Sequence, residues 1–496
     1  MKVSRRHFLT LASLGVAGVS LTSVPQFVKQ VRANTSSSFP QPPDEKNEGS
    51  PHMHDMEEFS LRASRSRIQL PGSSGLVAEL MTYNDSYPGP TLRVKEGDRV
   101  RINLRNDLDR PTNLHLHGLH VSPEGQADNI FRAIQPGETA IIEFSIPKGS
   151  AGTYWYHPHY HGNANSQLFA GLSGTIIVYE PLGRFPDLQN FPDYLVVFKD
   201  LELDAQGKIP PPTDRDWING REGSLVLING AIAPTLQTEN ALIRLRLLNQ
   251  SPGRYYNLMI EKHSMIVIAT DGGFVNAPYP VDSLLLAPGE RYEVLVNFKQ
   301  RGDFSLMNMP YARGRKGIDE PMEMDDMDNI QNMDMTTKST GEGSLMTLRF
   351  TGSHRAARIP ERLNSIWALN PKDAVQRRTI NFTENMGMLS FSFNGKEFDP
   401  NRVDIRAKLG TVEIWELINN TDMDHPFHLH TYPFQVYARN GKPEPQPAWK
   451  DVVNVKPKET VQILIPFKDF TGKTVFHCHV LEHEERGMMG AIEIVA

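Results

Sequence analysis

Beyond residue 58 the chain is a succession of short Val, Ile and Leu runs separated by turns of Gly, Pro, Asn and Asp. Runs at 99–104, 140–146, 243–248, 292–298, 412–418 and 461–465 read as strands, and no long helical periodicity competes with them. Short strands punctuated by turn residues predict an all-β molecule, sandwich or barrel.

These runs recur in order. The stretch from Val100 to Asn106 resembles those from Ile243 to Asn249 and from Val412 to Asn419. Asn106 lies nine residues before His115, and Asn419 nine before His428. The second half of each copy opens with Pro136-Gly137-Glu138, Pro288-Gly289-Glu290 or Pro457-Lys458-Glu459. A strand follows, then Gly152, Gly302 or Gly472, and five residues later His157, Met307 or His477. Matches in order and at equal spacing predict three homologous β units, at about 58–181, 182–355 and 356–496. The first and third carry His-x-His at both matching positions. The middle one has Leu258 and Ile260 at one and Met307 and Met309 at the other. Leu and Ile cannot hold a metal, so the middle unit is expected to carry none.

Composition narrows the class. A chain of 496 residues is long enough for several domains. A net charge of −6 and the lack of a long basic run argue against a nucleic-acid partner. A single cysteine excludes an internal disulfide. The N-terminus has the layout of an export signal: paired Arg5 and Arg6, an uncharged apolar stretch from Phe8 to Val24, and a small residue at Ala33. The arginine pair predicts the twin-arginine export machinery as a partner and a periplasmic or otherwise exported location. The alternative is a retained membrane anchor. The stretch is short for a span and broken by Ser, Thr and Gly, so cleavage of 1–33 is expected, leaving no membrane span. Residues 34–57, rich in Ser, Pro and charge, read as a flexible linker. His52, Met53, His54 and Met56 within it read as a solvated tail rather than a copper site.

The chemistry is concentrated in histidine. Of the 17 histidines, eight form the pairs His115/His117, His157/His159, His428/His430 and His477/His479. Residues two apart on a strand share a face, so each pair offers two imidazoles to one region. Pairs at equivalent positions of two related units could gather eight imidazoles, enough for several metal ions. Imidazole suits Zn, Fe, Ni and Cu, and Cys478 narrows the choice. It sits between His477 and His479, with His483 five residues on and Met488 beyond. A thiolate, two imidazoles and a weak axial thioether make a copper electron-transfer site, the second imidazole coming from elsewhere in the chain. Side chains alternate along a strand, so His477 and His479 face away from Cys478 and one strand serves two sites back to back. An electron carrier needs only the cysteine site. Eight further histidines imply a second task, and several coppers beside an electron input suit the four-electron reduction of oxygen.

These residues resemble the three-domain multicopper oxidases, which include laccases and bacterial cuprous oxidases. The resemblance runs from about residue 70 to 496. It rests on His115-Leu116-His117-Gly118, Trp155-Tyr156-His157-Pro158-His159, His425-Pro426-Phe427-His428-Leu429-His430, and His477-Cys478-His479 with His483 and Met488. It implies an all-β fold of three consecutive cupredoxin-like Greek-key β-sandwich domains. It also implies four copper ions. His425, Cys478, His483 and Met488 would hold the type 1 copper, and His115 and His428 the type 2. His117, His157 and His479 would hold one type 3 copper, and His159, His430 and His477 the other. Thr431 stands where the family often has Gly. Electrons would pass from the type 1 copper through Cys478 to His477 and His479, and four transfers would reduce O2 to two waters. Met488 as axial ligand implies a low or middling potential. Glu484 resembles a proton relay of the bacterial members, and Asp128 the acidic residue near the type 2 copper. Asp422 or Asp424 could orient the His425 ring, the alternative being a plain turn. His120 and His161 flank the motifs and are expected to pack or hydrogen-bond behind the ligands.

The reductant is read from one insertion. Met322, Met324, Met327, Met333 and Met335 alternate with acidic residues in 320–336, between strands expected near 304–309 and 344–350. Thioethers select Cu(I), and carboxylates would attract the cation. The segment points to Cu(I) as substrate, as in bacterial cuprous oxidases. The alternative is a laccase acting on small phenols or aromatic amines, with the loop as a lid. Two further classes stay open. One is a copper-free cupredoxin scaffold of the kind that serves in cell division, against which twelve retained ligand positions argue. The other is a copper nitrite reductase, which usually has two domains and an incomplete trinuclear pattern.

Overall fold

The expected strands form within two residues of their predicted bounds, as Arg99–Asn106, Thr139–Ser145, Leu242–Asn249, Arg291–Asn297, Thr411–Asn419 and Thr460–Phe467. The computed structural model describes residues 39–45, 56–180, 191–315, 319, 341–353 and 358–496, all within the unit Ser36–Ala496. The signal-like stretch 1–33, the cluster His52, Met53 and His54, and the Met-rich segment 320–336 lie outside these residues.

Among the described residues the strands make six sheets, packed as three pairs. In the first pair, Val77–Tyr83, Met56–Gln69, Arg99–Asn106 and Thr139–Ser145 lie in that order. They face Thr91–Lys95, Gly174–Tyr179, Gly152–His157 and His115–His117. Phe59, Leu61 and Ile102 from one sheet meet Leu92, Ile176 and Val178 from the other. The middle pair closes likewise on Val196, Leu245 and Val294 against Leu258, Leu306 and Leu348. The third closes on Trp415, Leu417 and Ile463 against Phe427, Phe476 and Ile492. Each such fully buried side chain is worth about 1.5–3 kcal/mol, so every pair has its own core. A smaller cluster of Trp155, Leu168, Leu195, Val197, Leu248 and Leu481 draws on all three pairs and seals the seam between them.

The repeat holds in three dimensions. Arg99–Asn106 pairs parallel with Met56–Gln69 and antiparallel with Thr139–Ser145. Leu242–Asn249 does the same with Asp193–Leu201 and Arg291–Asn297, and Thr411–Asn419 with Ala374–Asn385 and Thr460–Phe467. Each central strand ends in a buried asparagine that makes one set of bonds. Asn106 Nδ2 donates to the Arg110 and Ile134 carbonyls, Asn249 Nδ2 to those of Arg254 and Leu286, and Asn419 Nδ2 to those of Met423 and Val455. Each Oδ1 accepts the amide two residues on, from Leu108, Ser251 or Thr421. These Asx turns aim the chain toward His115 and His428. The molecule is therefore three consecutive β-sandwiches, the architecture the resemblance implied.

The linker expectation fails in two places. Residues 39–45 are held against the body: Glu45 N–H donates to the Thr91 carbonyl and Thr91 N–H to the Pro43 carbonyl. Gln41 exchanges bonds with the Leu195 backbone, and Asn229 donates to the Pro40 carbonyl. Met56 and Glu57 open the first strand, opposite Arg99 and Val100. Backbone pairing and the Gln41 and Asn229 side-chain amides, which composition does not report, fix these residues. No helix among the described residues is long and apolar enough to cross a membrane.

Candidate metal centre

Strand pairing brings the histidines together. His115–His117 runs antiparallel to Gly152–His157, with His115 opposite His157 and His117 opposite Trp155. In the third sandwich His425–Leu429 opposes Gly472–Cys478, with Phe427 opposite Cys478 and His428 opposite His477. The ring just before His157 and the one just before His477 each face a glycine. A Cβ on Gly174 would lie 2.1 Å from the Tyr156 ring, and one on Gly490 would lie 2.4 Å from the Phe476 ring. The missing side chains let these rings lie across the neighbouring strand. The strands stop at His157 and Cys478, so His159 and His479 project from the turns beyond. All four pairs still meet in one region, where His115 and His117 share a trio with His428, His157 joins His117 and His479, and His159 joins His430 and His477.

Five buried trios of donors result among the described residues: His115 and His117 with His428; His117, His157 and His479; His159, His430 and His477; His425, Cys478 and His483; and His115 and His430 with Asp128. His159 Nε2 and His430 Nε2 each approach His477 Nε2 to 3.1 Å, and His115 Nε2 approaches His428 Nε2 to 3.3 Å. Burial, reinforced by the neighbouring imidazoles, holds His115, His117, His157, His428 and His430 well below the ordinary histidine pKa. Burial likewise pushes His159 down to about 4 and His479 to about 3. These rings are neutral at neutral pH and carry bare lone pairs.

Their other nitrogens point outward to acceptors. His115 Nδ1 donates to Asp128 at 2.9 Å and His117 Nε2 to Asp451 at 3.0 Å. His428 Nδ1 donates to the Asp451 carbonyl at 2.8 Å, and His157 Nδ1 to the Pro158 carbonyl at 3.0 Å. His117 Nδ1, His157 Nε2 and both His479 nitrogens are left buried with no hydrogen-bond partner among the described residues. A hydrogen-bonded core does not leave such groups, whereas a cation site with anchored ligands requires them.

On the other side of the same strand, Cys478 Sγ lies 3.4 Å from His425 Nδ1 and 3.8 Å from His483 Nδ1, and these nitrogens are 3.2 Å apart. Burial pushes the Cys478 thiol well up and His483 down to about 3. A coordinated cation reverses the first effect, because it deprotonates a thiol outright. Met488 is buried in the same core, and its carbonyl accepts the Cys478 N–H at 3.0 Å. Phe391 stacks on His483 with ring centres 3.9 Å apart. A thiolate with two imidazoles is a soft donor set, and it fits copper.

Both expected carboxylates are at hand. Asp128 also accepts the Leu116 N–H at 2.8 Å, and burial pushes its pKa up to about 7. Glu484 Oε2 lies 3.0 Å from His477 Nδ1 and 3.8 Å from His159 Nε2. Burial raises its pKa, but the His159 and His477 rings outweigh this and leave it below the ordinary carboxylate range.

The structure corrects one expectation: neither Asp422 nor Asp424 orients His425. Thr421 Oγ1 meets His425 Nε2 at 2.9 Å, held there by its own bond to Asn419 Oδ1. Asp424 instead accepts from the Tyr311 hydroxyl and the Asn454 amide, both at 2.6 Å, and Asp422 pairs with Lys458. His120 bridges the Thr431 carbonyl and Asp469, and His161 packs on Phe398, as supports rather than ligands. Sequence reasoning missed Thr421 and Asp451. The polar turn from Asn419 to Asp424 signals the first without separating hydroxyl from acid. A charged pair, Lys450 and Asp451, at the mouth of an apolar strand is the trace of the second.

Models of the multicopper oxidase family match residues 66–182, 195–323 and 368–495. The chain is 32% identical over 445 residues to a multicopper oxidase of Staphylococcus haemolyticus, covering 88% of each. It is 29% identical over 517 residues to the cell division protein FtsP of Yersinia pestis, covering 100% of this chain and 99% of the other. Among solved structures, a multicopper oxidase from Campylobacter jejuni, a metallo-oxidase, aligns with a TM-score of 0.81 and 31% identity over 92% of this chain and 95% of that one. With three sandwiches and buried donor trios already in view, these likenesses have one reading: the chain belongs to the multicopper oxidase family.

Proposed function

We propose that the chain takes electrons one at a time from Cu(I), or from small phenols and aromatic amines, beside Cys478, and passes them to dioxygen at the histidine cluster. The observation that carries this is the position of Cys478. Its thiol belongs to one donor trio, and His477 and His479 belong to two others. His425, Cys478, His483 and Met488 would hold one copper, His115 and His428 a second, and the trios centred on His157 and His159 the remaining two. Held there, copper supplies one-electron transfer at the thiolate and the four-electron reduction of O2 to water at the cluster. The chain's own part is to connect, orient and protonate. Cys478 and its flanking peptide bonds form a continuous covalent path from thiol to imidazoles. Asp128 and Asp451 fix ring tautomers so that the inward nitrogens stay bare. Glu484, at His477 Nδ1, is placed to hold and hand on a proton, as Asp128 is at His115.

The substrate reading rests on Met322, Met324, Met327, Met333 and Met335. The described residues that precede the segment in the chain run beside the turn before His425. The Arg313 carbonyl accepts the Asp424 N–H at 2.8 Å, and Gly314, with φ of +82°, backs onto the Asp422 carbonyl where no Cβ fits. Arg5 and Arg6 support twin-arginine export to the periplasm. The likeness to FtsP favours a second reading, a copper-free scaffold, and the retention of every ligand position supports the oxidase instead. Oxygen uptake by the copper-loaded chain with Cu(I) and with a phenol tests the proposal. Both should be oxidised, and deletion of 320–336 should selectively impair Cu(I) oxidation. If the deletion spares Cu(I) and abolishes phenol oxidation, the chain is a laccase. Uptake with neither substrate, and no copper bound, would make it a scaffold.

A further inference from the structure

The middle sandwich contributes to no donor trio among the described residues, yet one of its side chains reaches the cluster. Arg291 follows Pro288-Gly289-Glu290 where the other two units have Thr139 and Thr460. It is 0% exposed, and all five of its guanidinium N–H groups find acceptors. Nε donates to the Thr153 carbonyl at 3.0 Å. Nη1 donates to the Gly289 carbonyl at 3.2 Å and to Asp451 Oδ1 at 2.6 Å. Nη2 donates to the Asp271 carbonyl at 2.9 Å and to Asp451 Oδ2 at 2.7 Å. The acceptors come from all three sandwiches, and the fork on Asp451 fixes that carboxylate in both position and plane.

Asp451 passes the constraint on. Its Oδ1 accepts the His117 Nε2 hydrogen at 3.0 Å, and its carbonyl accepts the His428 Nδ1 hydrogen at 2.8 Å. One aspartate therefore sets the tautomers of two cluster imidazoles, one from each histidine-bearing sandwich. The backbone is cut to fit this contact. A Cβ on Gly118, directly after His117, would lie 2.3 Å from Arg291 Nη2 and 2.7 Å from Asp451 Oδ2. A Cβ on Gly289 would lie 2.9 Å from His479 Cδ2 and 3.1 Å from His117 Cε1. Lys450 ties the same strand to the middle sandwich through Asp271 and Glu290, each at 3.0 Å.

We propose that Arg291 is a positioning residue for the metal centre: through Asp451 it fixes the tautomer and pose of His117 and His428, so that the middle sandwich, which adds no ligand to the donor trios among the described residues, sets the copper affinity of the cluster. This rests on the reading of the cluster as a copper site. Without the guanidinium, the buried carboxylate loses the fork that aligns it, and both imidazoles lose a fixed partner. Loss of such support typically weakens metal binding about 10- to 100-fold.

The test uses the full-length chain loaded with copper, as wild type, Arg291→Met, Arg291→Lys, Asp451→Asn and Arg246→Met. Arg246 is a buried arginine on the adjacent strand, paired with Glu293 and Asp193, and serves as the control for a purely structural ion pair. Copper is withdrawn with a graded chelator while spin resonance follows the cluster and the visible thiolate band follows the Cys478 site. Arg291→Met and Asp451→Asn should release cluster copper at about 10- to 100-fold lower chelator concentration, with the visible band unchanged. Arg291→Lys should fall between them and wild type, and Arg246→Met should lower the unfolding temperature without changing copper release. Cluster copper held as tightly in Asp451→Asn as in wild type would overturn the proposal, and so would an equal weakening in Arg246→Met. If Arg291→Met does not fold, the near-isosteric Asp451→Asn carries the test. A wild-type chain that binds no copper at the histidines would overturn the copper reading itself, a result separable from the others.

Discussion

Cys478 is the residue on which the two halves of the site depend. The equivalent positions in the first and middle units are Pro158 and Asn308, so only the third copy links a thiol to the cluster. Cys478→Ser should abolish the visible band and reduce turnover to background, while spin resonance still reports copper at the histidines. Loss of cluster copper as well would show that the two sites do not load separately. Thr431 offers a test of strain. Its φ is +66°, a conformation a β-branched residue rarely adopts, and its hydroxyl is buried without a partner among the described residues. Only its carbonyl is used, by His120. Thr431→Gly keeps that carbonyl and should stabilise the chain by about 1 kcal/mol, read from denaturant unfolding. A destabilised variant would mean the hydroxyl has a partner after all. The histidines were legible because paired spacing recurs, and Cys478 because it is unique. Thr421 and Asp451 were not, because an orienting group acts through three-dimensional reach and a lone Thr or Asp has no period to betray it. Arg291 is visible only when the three copies are aligned and its threonine counterparts stand beside it.

At the scale of elements, one device is used three times. Asn106, Asn249 and Asn419 each end a central strand and satisfy two carbonyls and one amide in a buried turn. Replacing either Asn249 or Asn419 with Ala orphans those groups, and each buried orphan costs about 1–3 kcal/mol. With three groups orphaned, a net loss of at least about 3 kcal/mol is expected for both variants by denaturant unfolding. They should differ in the copper spectrum. The Asn419 turn seats Thr421 beneath His425, so Asn419→Ala should shift the visible band, while Asn249→Ala should leave it alone. Equal spectral changes would mean that the turn is generic scaffolding. The strands themselves were readable as apolar runs between turn residues. Their ends were less so, and the ends matter most here. A period of two holds only inside a strand, and Gly152–His157 stops two residues short of His159 while Gly472–Cys478 stops one short of His479. Residues 39–45 show the converse: polar composition suggested a loose tether, but main-chain bonds to Thr91 and the Gln41 side chain's bonds to the Leu195 backbone hold them in place.

On the scale of the whole molecule, the seams between sandwiches are where charge has been buried. Arg291 and Lys450 lie at one seam, and Lys199 lies at another. Lys199 belongs to the middle sandwich, but its Nζ donates to the Leu168 carbonyl at 2.8 Å and to Ser173 Oγ at 3.0 Å, both in the first. Such a contact is invisible to sequence, where Lys199 is one charge at the end of an apolar strand. Burial pushes its pKa down to about 7, against an opposing pull from Asp200. An unfolded lysine keeps its proton to about pH 10.4. Between those values the unfolded chain binds the extra proton, so the folded state gains as pH rises through the window and gains nothing further above it. Lys199→Met removes the group from both states. The stability of wild type relative to Lys199→Met should therefore climb from pH 7 to pH 9, by at most about 1.4 kcal/mol per pH unit. Denaturant unfolding of the two proteins at pH 7, 8 and 9 measures that difference, and the subtraction cancels every other titrating group. A difference that stays flat would mean that Lys199 keeps its proton in the folded chain and meets Leu168 and Ser173 of the first sandwich as an ammonium rather than a neutral amine.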